Sequence, residues 1–350
     1  MSCIITENLN KVVGRNTTLF ISLLLLSVAV FLLQIVLGSV SIPFGEVVSI
    51  LSGNKTDNEA WRNIVIESRL PGALAALFAG AGLSVSGLQM QTMFRNPVAG
   101  PYVLGINAGA SFGVAIFILA ASAFGISEIH LFSSWSIIIA AAVGAMLIFF
   151  INFLISFRLN DVVAILIIGL MIGGGISALI EILQSLSSNE ALKSYILWGF
   201  GSFRYVNLSQ IFYLAVVVII GVVFSFFLSK PLNLLLLGDT YATSSGLNIQ
   251  TAKIQLVLCT SILAGSITAF CGPISFVGLA VPHLARAVFK TADHRILTPA
   301  SVLLGAVICG LCNVLAATPG SDYVLPVNAI TSLLGAPVVI WIILKQRKVQ

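Results

Sequence analysis

Uncharged apolar runs of membrane-spanning length recur along this 350-residue chain. A helix needs about 20 consecutive apolar residues to cross the hydrocarbon core of a bilayer. One such run, residues 254–285, holds no charged residue in 32 positions and contains the pair Gly272 and Pro273. Because proline removes a backbone donor and clashes with the preceding turn, we interpret this run as two helices. A chain built from such runs cannot fold as a water-soluble globular protein.

The composition agrees with a membrane protein. Only 8% of the residues are charged and 58% are hydrophobic, whereas about 25% are charged in an ordinary soluble domain. The runs predict an all-α polytopic fold, with residues 1–350 forming one transmembrane domain. The ten predicted spans are 18–38, 70–94, 100–123, 133–157, 162–186, 205–229, 254–271, 274–289, 296–318 and 324–344.

The distribution of charge predicts the orientation. With the N-terminus inside, the predicted inner segments carry 12 basic and 4 acidic residues, and the outer segments carry 5 basic and 7 acidic residues. Excess lysine and arginine on the cytoplasmic side is the usual pattern of multi-pass membrane proteins. We therefore expect a protein of the cell inner (cytoplasmic) membrane with both termini in the cytoplasm.

Sequence motifs of nucleotide binding and catalysis are missing. The chain has no G-x-x-x-x-G-K-[ST] loop, no G-x-G-x-x-G and no H-E-x-x-H. Five cysteines lie in or beside apolar runs, and the C-x-x-C of Cys309 and Cys312 falls within an apolar helix. We expect no catalytic residue, no metal site and no cofactor in this chain.

Small residues recur at four-residue spacing in several spans, which lets helix backbones approach closely where lipid supplies no hydrophobic drive for association. The clearest series are Gly105, Gly109 and Gly113, then Gly169 and Gly173, and then Ala306 and Gly310. A closely packed bundle is expected.

One acidic residue, Glu181, lies well inside a predicted span. Ionisable groups within the membrane are costly and often mark a pathway for a transported solute. Glu181 lies near the outer end of the fifth span, so it either faces a water-filled path or reaches water at the interface. Both interpretations stay open at this stage.

A polar stretch separates the sixth and seventh spans on the predicted inner side. Asp239 and Thr240 are suited to cap a short helix there, and Gly246 is suited to end it in the left-handed conformation. A structured loop of this kind is either a docking site for a soluble partner or only a connection between two spans.

Motifs spread over residues 43–345 resemble the permease subunits of FecCD-type ABC importers. The group includes cobalamin, haem and ferric-siderophore permeases. The resemblance lies in residues 69–71 (RLP), 80–87 (GAGLSVSG), 95–101 (RNPVAGP), 198–202 (WGFGS), 237–239 (LGD) with 246–248 (GLN), 272–279 (GPISFVGL), 281–286 (VPHLAR) and 325–327 (LPV).

The resemblance implies a ten-helix type II importer fold with several partners. A second permease copy or a paralogue, two cytoplasmic ATP-binding subunits and a periplasmic substrate-binding protein are expected, and no nucleic acid. ATP and magnesium would be bound by the separate ATPase. The ATPase-coupling residues implied by the family are Leu237, Gly238, Asp239, Ala242, Gly246, Leu247 and Asn248; we call residues 237–248 the coupling segment.

Further roles follow from the same resemblance. The fifth span would line the pathway together with Asn160, Asp161 and Glu181, and Arg69 would contact the binding protein. The chain departs from the family at Gly72 and Ala317, where the cobalamin permease has arginines. Asn313 also replaces an aspartate that is common in the family.

Two motifs have structural interpretations that need no functional role. Residues 95–97 (RNP) are suited to end the second helix, because a residue before proline is disfavoured in helical geometry. His283 and Arg286 are suited to anchor a short helix at the inner surface.

The function expected from these observations is a permease of an ATP-driven importer. It would move an iron-siderophore, haem or cobalamin-type ligand, with a ferric siderophore favoured. The alternative is an ion- or proton-coupled secondary transporter. The sequence leaves open which ligand is carried and whether the permease pairs with itself or with a paralogue.

Overall fold

The computed structural model describes residues 2–54, 58–123, 134–158, 162–318 and 324–346. Helices are the only regular structure among these residues. They are α1 (Ser2–Val36), α2 (Phe44–Leu51), α3 (Glu59–Asn63), α4 (Leu70–Met93), α5 (Ile106–Ala115), α6 (Ala121–Ala123), α7 (Ser134–Arg158), α8 (Val162–Leu186), α9 (Asn189–Gly199), α10 (Leu208–Phe227), α11 (Ser229–Leu236), α12 (Asp239–Ser244), α13 (Ile249–Cys271), α14 (Val277–Phe289), α15 (His294–Ala316) and α16 (Val327–Gln346).

Irregular helical turns join some of these elements. A π-helical segment, Ile64–Arg69, leads directly into α4, and a second, Ile116–Ala120, continues α5. A 3₁₀ turn, Pro101–Leu104, precedes α5. The chain therefore enters α4 and leaves α5 through local changes of helical pitch.

The all-α polytopic prediction is confirmed. Seven helical stretches in the described residues are long and apolar enough to cross a membrane: Gly14–Val36, Glu59–Met93, Ser134–Ile155, Ile167–Leu186, Leu208–Phe227, Ile249–Cys271 and His294–Ala316. Three shorter apolar helices, Ile106–Ala120, Val277–Phe289 and Val327–Trp341, coincide with the remaining predicted spans. The break predicted at Gly272 is present, because α13 ends at Cys271 and Gly272 has a φ of +74°.

Several short helices lie outside the predicted spans, among them α2, α3, α9 and α11. Polar side chains start some of them. Asn58 accepts backbone hydrogen bonds at the start of α3, and Ser188 does the same for α9. Helices of this length carry too little hydropathy signal to be found by a search for membrane spans, although their N-caps are recognisable in the sequence.

Helix α4 occupies the centre of the bundle. It packs against α10, α13, α14 and α15, and nearly all of its residues are buried. Two glycines allow close helix contacts: a Cβ on Gly80 would lie 2.1 Å from the carbonyl oxygen of Gly305, and one on Gly87 would lie 1.6 Å from that of Gly278. Small residues thus determine how near α14 and α15 come to the central helix.

The predicted series of small residues has mixed roles. Gly113 packs on α7, since a Cβ there would lie 2.0 Å from the carbonyl oxygen of Ala140. Gly310 faces α1 in the same way, 2.6 Å from Val30 Cγ1. Gly105 instead has a φ of +68° and joins the 3₁₀ turn to α5. Its glycine is required by backbone conformation and not only by helix packing.

Different helix termini and loops lie at the two ends of the bundle. One end carries the coupling segment with the C-termini of α4 and α14 and the N-termini of α13 and α15; we call it the coupling-segment end. The opposite end carries the C-terminus of α1, the N-terminus of α4 and the loop before α10. There Asn328 donates a backbone hydrogen bond to Phe200, which joins the start of α16 to the loop after α9.

Candidate functional site

The coupling segment folds as the short helix α12 between two glycines with positive φ. Gly238 has a φ of +108° and Gly246 a φ of +83°. Gly246 ends the helix, as the sequence predicts, and the N–H of Leu247 donates to the carbonyl oxygen of Ala242 at 3.0 Å. The predicted capping role of Asp239 is wrong: the N-cap residue is Gly238, and the Asp239 carboxylate pairs with an arginine instead.

Helix α12 is anchored on one side and open on the other. Ala242 is fully buried, whereas 62% of Leu237 and 55% of Tyr241 are exposed. Asn248 lies at the end of the segment, where its side chain accepts a hydrogen bond from the N–H of Thr251 at 3.0 Å and begins α13. The segment therefore has a fixed backbone and presents apolar side chains at one end of the bundle.

Helix α11 holds this segment against α15. The Asn233 amide donates to the Asp293 carboxylate at 2.6 Å, and its oxygen accepts from the backbone N–H of His294 at 2.9 Å. The His294 ring is buried and also contacts Thr92 of α4 at 2.8 Å. Partial burial disfavours the charged form of Asp293, but hydrogen bonds from Arg295 and Asn233 and the charge of Arg295 lower its pKa overall. The anionic form of Asp293 is thus well suited to hold α11.

The turn after α4 contacts the coupling segment from the other side. Arg95, with a φ of +45°, forms an ion pair with Asp239 and donates to the carbonyl oxygen of Leu235 at 3.2 Å. The next part of the turn contacts α14, where His283 Nε2 lies 2.7 Å from the carbonyl oxygen of Pro97. The turn is therefore held between α12 and α14.

His283 and Arg286 hold α14 against this end of α4. Arg286 donates to the Gln91 side chain at 2.6 Å, and Gln91 donates to the carbonyl oxygen of Leu279 at 3.1 Å. These contacts agree with the structural interpretation of both residues. No group of three or more metal-binding side chains lies together in the part of the chain that the structure describes.

The predicted pathway residues lie on or next to α8. Glu181 is exposed on this helix in the single chain, while Asn160 and Asp161 fall outside the described residues. Only 17% of the apolar stretch of α8 is buried, compared with 83% for the stretch that contains α4. Gly174 and Gly175 face open space as well. Helix α8 therefore presents a broad uncovered face on which Glu181 lies.

Arg69, the predicted docking residue, is largely enclosed at the opposite end. It is 7% exposed, and its guanidinium donates to the carbonyl oxygens of Ile35 and Val36 at 2.9 and 2.7 Å and to that of Val40. Carbonyl groups at the end of a helix lack partners within the helix. Arg69 thus completes the C-terminus of α1.

A second arginine, Arg204, lies beside Arg69. Both line a small cleft together with Gly72, Asn313 and Ala317. A Cβ on Gly72 would lie 3.8 Å from Arg204 Cγ, so the glycine leaves room for this side chain. Burial lowers the pKa of Arg204. Among the described residues its guanidinium has no hydrogen-bond or ion-pair partner.

Sequence reasoning gave no functional role to Arg95 or Arg204. The motif at residues 95–97 indicated a helix end, but the ion pair of Arg95 with a residue 144 positions away has no local signal. Arg204 belongs to no polar pattern that would mark it as a site. One sequence feature gives an indirect signal for Arg204. Gly72 and Ala317 stand where the cobalamin permease has arginines, so another arginine nearby could take their place.

Comparison with known proteins identifies the family. The sequence profile of the FecCD transport family matches residues 24–345. The chain belongs to the FecCD transport family. Among its relatives, the hemin transport system permease protein HmuU of Yersinia pestis is 35% identical over 296 residues, which cover 84% of this chain and 87% of that protein.

Other FecCD relatives agree. The vitamin B12 import system permease protein BtuC of Salmonella paratyphi A is 34% identical over 284 residues, covering 81% of this chain and 84% of that protein. A solved structure of a protein assigned to the metal-chelate type of ABC transporter, in an inward-facing conformation, superimposes with a TM-score of 0.81 at 28% identity. It covers 94% of this chain and 99% of the solved one. This FecCD protein is thus a multi-pass membrane permease with the importer permease fold.

Proposed function

We propose that this chain is the transmembrane permease subunit of an ATP-driven importer that moves an iron-siderophore, haem or cobalamin-type ligand into the cytoplasm. The observation that carries the proposal is the coupling segment. It is a helix anchored by Ala242 with Leu237 and Tyr241 exposed at the end of the bundle. The hemin and vitamin B12 permeases among the relatives, and the metal-chelate transporter among the solved structures, support this ligand class.

In this proposal, separate subunits bind and hydrolyse ATP. The chain lacks a phosphate-binding loop, so ATP and magnesium are bound by cytoplasmic ATPase subunits. Helix α12 seats in a cleft of the ATPase, and closure of the ATPase moves it. Because α11 is hydrogen-bonded to Asp293 and His294, that movement is passed to α15 and tilts helices around the pathway.

The pathway lies between two permeases. Helix α8 has an uncovered face that carries Glu181, and a second copy or a paralogue placed against it would enclose a path between the two chains. Glu181 and the predicted gate residues Asn160 and Asp161 would line this path. The ligand passes through it without chemical change.

The coupling-segment end faces the cytoplasm in this arrangement, together with both termini. The opposite end faces a periplasmic binding protein. Arg204 and the neighbouring Arg69 line one cleft there and form its positive centre. A guanidinium with no partner among the described residues, such as that of Arg204, is suited to bind a carboxylate of the binding protein, and electrostatic matching of this kind directs docking.

Two exposed tyrosines at opposite ends of the bundle provide a test. Tyr241 is 55% exposed in the coupling segment, and Tyr205 is 65% exposed at the other end. We expect Tyr241→Ala to reduce co-purification with the ATPase subunit and ligand-stimulated ATP hydrolysis in proteoliposomes. Tyr205→Ala, the matched control, leaves ATPase binding intact. Equal ATPase binding by wild type and both variants contradicts the assignment of the coupling segment.

The ligand and the energy source are tested in the same preparation. Haem, cobalamin and a ferric siderophore are each added with the binding protein, and the ligand that stimulates ATP hydrolysis identifies the cargo. Uptake by the isolated permease under an ion gradient, without ATPase or ATP, would overturn the proposal in favour of a secondary transporter.

A further inference from the structure

Arg95 adopts a backbone conformation that is normally reserved for glycine. Helix α4 ends at Met93, the N–H of Arg95 donates to Thr92, and the N–H of Asn96 donates back to Gln91 at 3.2 Å. In this type of helix end the left-handed residue is usually glycine, because other residues meet a steric penalty there. Arg95 has a φ of +45° and carries a long charged side chain at that position.

The side chain reaches the joint between α11 and α12. Its Nη2 forms the ion pair with Asp239, the first residue of α12, and donates to the carbonyl oxygen of Leu235 near the end of α11. One guanidinium group therefore contacts both helices that position the coupling segment. The left-handed backbone of Arg95 lies directly after α4 and brings the group to this joint.

The ion pair is of a kind that stabilises the fold little. The side chains of Arg95 and Asp239 are 48% and 49% exposed. Exposed ion pairs contribute little net stability because water screens them and two long side chains lose freedom. Because the pair joins the end of the central helix to α12 and contributes little stability, its removal is expected to affect movement of α12 more than folding.

The remainder of the turn is held by a different helix. Pro97 contacts His283 of α14, and Gln91 of α4 binds Arg286 of the same helix. Movement of α12 relative to the bundle would therefore act on α4 through Arg95 while α14 holds the other side of the turn. The linkage from α11 to α15 through Asn233 is a separate connection.

We propose that Arg95 is a positioning residue that couples α12 to the central helix α4 through its ion pair with Asp239. This inference rests on the proposed function, because the movement it transmits is that of an ATPase bound to the coupling segment. Loss of the pair uncouples ATP hydrolysis from transport and leaves assembly of the complex intact.

The test uses the full transporter, with permease, ATPase and binding protein, reconstituted in liposomes. For Arg95→Gln we expect ATPase co-purification as in wild type. For both Arg95→Gln and Asp239→Asn we expect ligand uptake per ATP hydrolysed to fall by about tenfold, within the range of coupling effects caused by residues remote from a ligand. The double variant Arg95→Glu with Asp239→Arg restores the opposite charges and recovers most of the ratio. Lys230→Gln removes one exposed positive charge from α11 and serves as the matched control with an unchanged ratio.

Backbone strain is separated from the side chain by Arg95→Gly. Glycine suits the left-handed position, so the apparent melting temperature of this variant is expected not to fall. Its uptake ratio is expected to fall as far as that of Arg95→Gln. Wild-type ratios in Arg95→Gln and Arg95→Gly would overturn the role of Arg95 while the proposed function stands. A wild-type permease that neither binds the ATPase nor transports would instead overturn the proposed function itself.

Discussion

At the scale of single residues, two neighbouring arginines have different surroundings. Arg69 is nearly enclosed and donates to three carbonyl groups at the end of α1, whereas Arg204 is half-buried and lacks a partner among the described residues. A buried charge with satisfied donors is costly to remove, because its partners are left without hydrogen bonds. A free guanidinium at a cleft is available for an incoming carboxylate.

The two arginines should therefore respond differently to substitution. We expect Arg69→Gln to lower the stability of the permease by about 2 kcal/mol, through lost hydrogen bonds to charged nitrogen. Thermal unfolding in detergent measures this change.

We expect Arg204→Gln to unfold as wild type does but to weaken binding-protein affinity by about tenfold, or about 1.4 kcal/mol. Arg62→Gln, which changes an exposed arginine of α3, is the control. Equal binding-protein affinity in wild type, Arg204→Gln and Arg62→Gln would argue against docking through this cleft.

At the scale of elements, the central helix α4 depends on residues without side chains. Its packing against α15 brings Gly80 and Gly305 into backbone contact, and α14 approaches through Gly87 and Gly278. Lipid is as apolar as leucine, so membrane helices associate through close packing instead of exclusion of water. Because α15 and α4 are in backbone contact, a displacement of α15 would also act on α4.

An added methyl group at Gly80 should separate these helices. Its Cβ would lie 2.1 Å from the carbonyl oxygen of Gly305, which is backbone and cannot rotate away. We expect Gly80→Ala to lower stability by about 1–3 kcal/mol, the usual cost of overpacking. Gly45→Ala in α2, where a Cβ meets nothing within 4 Å, is the control in the same thermal unfolding assay. Equal melting temperatures of the two variants would contradict this packing.

At the scale of the whole molecule, burial is uneven around the bundle. Helix α4 is enclosed, whereas α8 is open along most of its length and carries Glu181. An ionisable side chain on a membrane helix is stabilised by water or by protein, and a path between two permeases provides both. In the proposed function, the open face of α8 is the surface on which two permeases meet and enclose the pathway.

Cysteine cross-linking in membranes tests this assembly. In a Cys3→Ser background the remaining cysteines, Cys259, Cys271, Cys309 and Cys312, are all buried. We expect Ala178→Cys on α8 to give a covalent dimer with a short bifunctional maleimide. Ile219→Cys on the exposed side of α10 is the control and should remain monomeric. Dimers formed equally at both positions, or only at Ile219→Cys, would contradict a pair formed through α8.

The pathway assignment has its own test. If Glu181 faces a shared water-filled path, Glu181→Gln is expected to lower ligand uptake by about tenfold without changing ATPase binding. Asp161→Asn tests the predicted gate in the same way. Uptake at wild-type rates in both variants would show that neither carboxylate is needed for transport.

The sequence alone determined the fold class, the approximate position of the spans, the helix ended by Gly246 and the family resemblance. These features depend on runs of hydropathy and on local backbone preferences, which are written in neighbouring residues. Only the tertiary structure decided that Asp239 pairs with Arg95, that Arg69 completes α1, that Arg204 has no partner among the described residues and that α8 is uncovered. Such features join residues far apart in the chain, and the packing of the helices, not local chemistry, sets those distances.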